Sequence, residues 1–157
     1  MENVIQLSDN QKQLVERMGV LNEKDGLQPA VSRILALLLV SPETELTFDQ
    51  IRETLGLSKS ATSNAINLLL TLNKLDYITK TGDRKRYFRS KISSWKDDVK
   101  AKFSMINGMG DILEEVLKQR PGNTTDFNKN LEEIIDFVRF MNKELPNVYR
   151  AWEKSRA

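Results

Sequence analysis

Leu46-Thr47-Phe48-Asp49-Gln50-Ile51, then Leu55-Gly56-Leu57-Ser58-Lys59-Ser60-Ala61-Thr62-Ser63-Asn64-Ala65-Ile66-Asn67, then Gly82-Asp83-Arg84-Lys85-Arg86-Tyr87-Phe88 decide the fold. Thr47 followed by Gln50 has capping-box spacing. Phe48, Ile51, Leu55 and Leu57 give a buried side, and Gly56 breaks this helix after about two turns. Ser58 caps a longer helix that the pattern carries from Lys59 to about Lys74. A short helix, a glycine turn and a longer helix make a helix-turn-helix. Tyr77-Ile78-Thr79-Lys80 and Arg86-Tyr87-Phe88-Arg89 are β-branched and aromatic, with Thr81 to Lys85 supplying the turn, so a hairpin follows directly. A hairpin in that place is a wing. The expected fold class is mainly α with a small β-wing (α+β), a winged helix-turn-helix with helices on either side.

Outward from this centre, Ser8 and Gln11 form a second capping box, opening a helix whose apolar stripe is Leu14, Met18 and Leu21. Asp25-Gly26 ends it. Pro29 suits the first turn of the next helix, and Val31 to Val40 is apolar almost all round apart from Ser32 and Arg33, which predicts a central helix. Ser41-Pro42-Glu43 stops it, and Glu45-Leu46-Thr47 is a brief extended piece. Downstream, Ile92, Trp95, Val99, Phe103, Ile106, Met109, Leu113 and Val116 step by three and four. Gly108 and Gly110 interrupt that run, so a bend or a close helix contact is expected there. Arg120-Pro121-Gly122-Asn123 breaks the chain. Thr125 is read as the cap of a last helix, and Pro146 as its end, leaving a short apolar tail of Val148, Tyr149 and Trp152. The expected division is 1–26, an N-terminal dimerisation helix; 27–91, the winged helix; and 92–157, a C-terminal helical dimerisation region.

Composition removes several function classes. The 157 residues include no Cys and no His, which excludes disulfides, thiol chemistry, Cys/His zinc sites and a Ser-His-Asp triad. No Gly-rich phosphate loop or metal-ligand spacing is present, so we expect no enzyme, no cofactor and no metal. No apolar stretch is long enough to cross a bilayer, and Met1 to Asn10 lacks the basic start of a secretory signal, so the expected place is the cytoplasm. Net charge is only +2, but its distribution is uneven. Residues 27–91 hold 10 basic and 6 acidic side chains, whereas residues 1–26 hold 3 and 5. The positive excess coincides with the helix-turn-helix and hairpin, a modest footprint for a polyanion. A basic surface without a partner would have the same count.

Ser60, Ser63, Asn64, Asn67 and Thr71 fall on one face of the long helix, with Ala65, Ile66, Leu69 and Leu72 toward the other. No Asp or Glu occurs between Glu53 and Asp76. A helix lying between phosphates requires an acid-free face, and Asn, Ser and Thr can read base edges. Lys59 adds charge to a helix end that already favours phosphate. The DNA-binding set is therefore Ser58, Lys59, Ser60, Ser63, Asn64 and Asn67 on the helix, with Lys80, Arg84, Lys85 and Arg86 on the hairpin. Arginine at a wing tip can enter a narrow minor groove. The single acid of the wing, Asp83, is expected to orient a neighbouring Arg. The same residues also suit a capped helix rich in small polar side chains, and a hairpin charged against edge pairing.

Together with Arg33-Ile34-Leu35-Ala36-Leu37-Leu38-Leu39, the motifs quoted above resemble the GbsR-type branch of the MarR-like winged helix-turn-helix regulators, over roughly Gln28 to Arg89. The resemblance implies a dimeric bacterial transcription regulator, a repressor in many members, with Lys59 to Asn67 as recognition helix and Arg84 to Arg86 as wing contacts. It also implies a small-molecule effector; Trp95, Phe103, Phe137 and Phe140 are the candidate ligand-binding residues, and aromatic faces of this kind can hold a quaternary ammonium. The chain departs from the pattern where the family has Gly after the recognition helix. Asp76 fills that place, so either the helix is longer or Asn73 breaks it in a left-handed conformation. Two functions fit: a homodimer binding double-stranded DNA at a palindromic operator, or a winged-helix module that docks another protein.

Overall fold

The computed structural model describes residues 4–156; Met1 to Asn3 and Ala157, the outermost ends of the two expected dimerisation regions, lie outside them. The chain forms two compact units, Met1–Ser93 and Ser94–Ala157.

In the first unit, α1 (Asp9–Lys24) opens with the Ser8/Gln11 capping box, and α2 (Pro29–Val40) with Pro29 in its first turn. The α2 helix is central: Val31, Ile34, Ala36, Leu37 and Leu38 are buried, and it packs against α1, the helix over residues 59–71 and the sheet. The side of α1 that meets it matches the expected stripe only at Met18, which packs against the core. Val15 and Gly19 are buried, whereas Leu14 is 43% and Leu21 61% exposed. Gly19 decides this, because a Cβ there would lie 3.1 Å from Arg33 Cγ, so the two helices approach closest along the Val15–Gly19 line. Arg33 also bonds Glu16 and Glu23, which closes the α1–α2 pair with charge.

Strand β1 (Leu46–Thr47) leads into α3 (Phe48–Thr54), capped by the Thr47/Gln50 box as expected. After Gly56, at φ +62°, comes α4 (Lys59–Thr71). It ends a turn before Lys74. Asn73 takes φ +56°, and the bonds Asn73 N–H to Leu70 O and Lys74 N–H to Leu69 O form a Schellman ending. Left-handed Asn73 therefore does the work of the missing Gly, and Leu72, expected on the buried side, is an exposed cap residue. Strands β2 (Leu75–Thr79) and β3 (Arg86–Ser90) form the hairpin. The brief extended piece at Leu46 also joins the sheet, giving the order β1-β3-β2, with Phe88 opposite both Leu46 and Tyr77.

The second unit is a pair of long helices, α5 (Trp95–Gln119) and α6 (Thr125–Lys154). The two glycines do not break α5. Gly110 is buried, and a Cβ there would sit 2.9 Å from Val138 Cγ1, so the glycine marks a close helix contact. Gly110→Ala is expected to destabilise the pair by about 1–3 kcal/mol through overpacking, measured by thermal unfolding, with Gly108→Ala, which meets nothing within 4 Å, as the neutral control. Two expectations for α6 fail. The N-cap is Thr124 and not Thr125, and the helix continues through Pro146. A proline inside a helix costs about 3 kcal/mol. Beyond it Trp152 meets the Trp95 ring at 5.3 Å and the Tyr149 ring at 5.8 Å between centroids, so aromatic packing offsets the lost bond. No helix among the described residues is long and apolar enough to cross a membrane.

Candidate nucleic-acid interface

The α4 helix is anchored at its first turn. Ser58 Oγ accepts from Ala61 N–H at 3.1 Å, and the fully buried Thr62 donates its hydroxyl to Ser58 O at 2.9 Å. Thr62, Ala65, Ile66 and Leu69 are buried, which turns Lys59, Ser60, Ser63, Asn64 and Asn67 outward, all exposed. The side chains of Ser63, Asn64 and Asn67 have no hydrogen-bond partner among the described residues. An outward amide with both its donor and its acceptor unspent is matched to a base edge. Ser58 differs, since its hydroxyl is engaged as the cap and lies 3.1 Å from Ser60 Oγ.

The hairpin brings part of its basic set to the same place. Arg84 and Arg86 line a crevice of about 330 Å³ with Ser63, Asn67 and Leu70 of α4. Strand alternation explains the selection. Arg86 and Phe88 lie on the β3 face turned to α4, and the Arg86 guanidinium stacks 4.7 Å from the Tyr77 ring centroid. Tyr87 and Arg89 lie on the opposite face, where Arg89 pairs with Asp76 at 2.9 Å. Lys80 is on that opposite face too, 4.0 Å from the Tyr87 ring centroid and paired with Glu45 at 3.2 Å. The structure therefore brings Arg84 and Arg86 to α4, leaves Lys85 exposed at the turn, and sends Lys80 elsewhere.

Asp83 does not orient an arginine. Its carboxylate accepts from Tyr87 Oη at 2.6 Å and from Lys85 N–H at 2.9 Å, which pins the turn from inside. The Tyr87 hydroxyl, and then the Lys85 amide, hold Asp83 below the usual carboxylate range, and the same bond raises Tyr87. Because Asp83 is lowered, its contribution is present above the ordinary carboxylate value and is lost as pH falls through the folded one. Tyr87 is raised, so its contribution is lost as pH rises through its folded value. In an NMR titration the Tyr87 ring is expected to ionise above the ordinary tyrosine value, and to return toward it in Asp83→Asn; unchanged titration in that variant would contradict the pin. Tyr77 and Tyr87, the two rings that set the hairpin's side chains, were missed as functional residues. The period-two alternation of Arg86, Tyr87, Phe88 and Arg89 was the signal that could have found them.

Of the four ligand-binding candidates, Trp95 and Phe103 line two clefts in the α5–α6 unit. Phe137 and Phe140 line neither and stand exposed on α6.

Residues 25–86 match the MarR family, and residues 93–155 match an MmpR5-like MarR family transcriptional regulator. The fold is similar to the crystal structure of a transcriptional regulator, at 19% sequence identity, a TM-score of 0.68, and coverage of 92% of this chain and 99% of that one. A second similar chain is the adhesin competence repressor (AdcR) from Streptococcus pyogenes, 21% identical over 88% of this chain and 98% of that one, with a TM-score of 0.40. No curated protein matches. This chain has a MarR-like winged-helix fold, and each of its two units is similar over most of its length to a MarR-family model.

Proposed function

We propose that the protein is a homodimeric transcriptional repressor that binds a palindromic operator in double-stranded DNA. One observation carries this reading: Ser63 and Asn67, exposed and without side-chain partners among the described residues, line one crevice with Arg84 and Arg86 and no carboxylate, and Asn64 is exposed beside Ser63 on the same helix. On that reading α4 enters the major groove, where Asn64 and Asn67 read bases, and Arg84 and Arg86 enter the adjacent minor groove. Lys59, Ser60 and Lys85 meet phosphate. Ser58 acts through the helix it caps, and Lys80 through the hairpin face it braces. The motif resemblance supports placing the winged helix in the GbsR-type branch.

The dimer reading rests on the second unit. Among the described residues its buried apolar side chains are Leu131, Ile135 and Val138, too few to hold two long helices together in water. Outside them, Met105, Met109, Ile112 and Val116 on α5 and Phe127, Ile134, Phe137 and Val148 on α6 are exposed. An apolar surface of that extent calls for a cover. A second copy supplies it, and its two-fold symmetry sets two recognition helices on half-sites about 34–36 Å apart.

Selection of bound sequences from a random duplex pool tests the proposal. An inverted repeat with half-sites about one helical turn apart is expected. Asn64→Ala with Asn67→Ala should flatten the base preference at their positions, each contact being worth about 1–3 kcal/mol. A pool that emerges without any preference, or a stoichiometric protein partner recovered with no DNA at low salt, would overturn it.

A further inference from the structure

Two aromatic rings sort the cations of the hairpin, and they hold them differently. On the face turned from α4, Lys80 lies over Tyr87 and is also paired with Glu45 at 3.2 Å, while Arg89 is paired with Asp76 at 2.9 Å. On the crevice face, Arg86 has a ring and no acid. Its guanidinium carbon stands 4.7 Å from the Tyr77 centroid, and it makes no ion pair among the described residues. No carboxylate lines the crevice beside it.

The pleat explains how ring and arginine meet. Tyr77 is paired with Phe88 and Thr79 with Arg86, so all four side chains stand on one face of the β2–β3 ladder. Thr79 is short and exposed, which leaves Arg86 room to lean diagonally onto the larger ring. Tyr77 in turn rests on Phe88, a buried core residue, with 6.1 Å between centroids and 58° between planes. Support therefore runs from the core through Phe88 and Tyr77 to a surface arginine that lines the crevice with Ser63 and Asn67.

A carboxylate could hold the same arginine, but it would consume charge and donors. A ring face takes the flat guanidinium over its plane and leaves the five N–H donors, which lie in that plane, pointing outward with the charge intact. A side chain held in this way has already given up rotamer freedom that it would otherwise lose on meeting DNA. We propose that Tyr77 is a positioning residue for DNA binding, setting Arg86 toward the duplex without neutralising it. The inference rests on the DNA-binding reading above. Tyr77 acts through Arg86 and through no contact of its own.

Two measurements on the full-length protein test this role. In the free protein, the NMR shifts of the Arg86 side-chain protons should carry the ring current of Tyr77, keep it in Tyr77→Phe and lose it in Tyr77→Leu. On a mixed-sequence duplex at low salt, Tyr77→Leu should weaken binding by about two- to tenfold for each copy of the side chain engaged, and Tyr77→Phe should restore most of that loss. With Arg86→Ala already in place, Tyr77→Leu should cost nothing further, because no arginine is left to position. Tyr77 is 39% exposed, so thermal unfolding should move little in either Tyr77 variant. A loss that persists beside Arg86→Ala would make Tyr77 a support of the hairpin only. A loss in Tyr77→Phe as large as in Tyr77→Leu would assign the effect to the hydroxyl, and an Arg86 shift indifferent to Tyr77 would remove the stack. Each of these overturns the proposal. A wild-type protein that binds no duplex, while the Arg86 shift still follows Tyr77, would instead overturn the DNA-binding reading, and this role with it.

Discussion

Ile112→Glu with Phe137→Glu is expected to convert the protein into a monomer and to lower operator affinity by about 10²–10⁴-fold, the gain that joining two weak binding modules confers. The two side chains are 63% and 61% exposed in the single chain, so a glutamate at either disturbs no packing within it. In a dimer the same positions are buried, and four carboxylates would have to leave water together, which a protein interior strongly resists. Sedimentation reads the association state, and a binding titration on a palindromic site against a single half-site reads the affinity. The variant should bind both DNAs equally weakly. A variant that remains dimeric would place the subunit contact elsewhere, on another apolar face such as the exposed Leu14 and Leu21 of α1.

Arg84→Ala with Arg86→Ala should weaken binding to every sequence by about a hundredfold or more, each arginine contributing about 1–3 kcal/mol per contact. The dimer loses four guanidinium groups, so the logarithmic salt dependence should become shallower by about three to four units. The base preference expected from Asn64 and Asn67 should persist, because phosphate and minor-groove charge contribute strength without reading the major-groove edges. Both arginines are exposed, so stability should barely change. Lys80→Ala is the informative contrast. Its ammonium is paired with Glu45 and stacked on Tyr87, on the other face of the hairpin, so its effect on DNA should be small beside that of the double variant.

The elements that could be read from the sequence are those whose cause is local. Ser8 with Gln11, Thr47 with Gln50, and Ser58 before its helix each satisfy backbone groups within four residues, and the structure forms all three caps. The left-handed Asn73 was one of two local options, and the bonds of the Schellman ending selected it. The acid-free face of α4 was visible because an outward face needs nothing beyond helical spacing.

Packing decided the rest. The α1 helix has two apolar lines, and only the close approach of Arg33 to Gly19 turns Val15 inward and leaves Leu14 and Leu21 outside. The α6 helix runs through Pro146 because a ring cluster more than fifty residues apart in sequence, Trp95 with Trp152, rewards the continuation. Likewise, the four basic residues Lys80, Arg84, Lys85 and Arg86 look alike in a string of letters, yet the pleat divides them, sending Arg84 and Arg86 toward α4 and Lys80 toward Glu45. The sequence by itself determined where the side-chain-capped helices begin and which residues could meet a duplex, since those follow from bonds between near neighbours and from helical spacing. Only the tertiary structure determined which side of each element is used, because that depends on which distant surface it must fit.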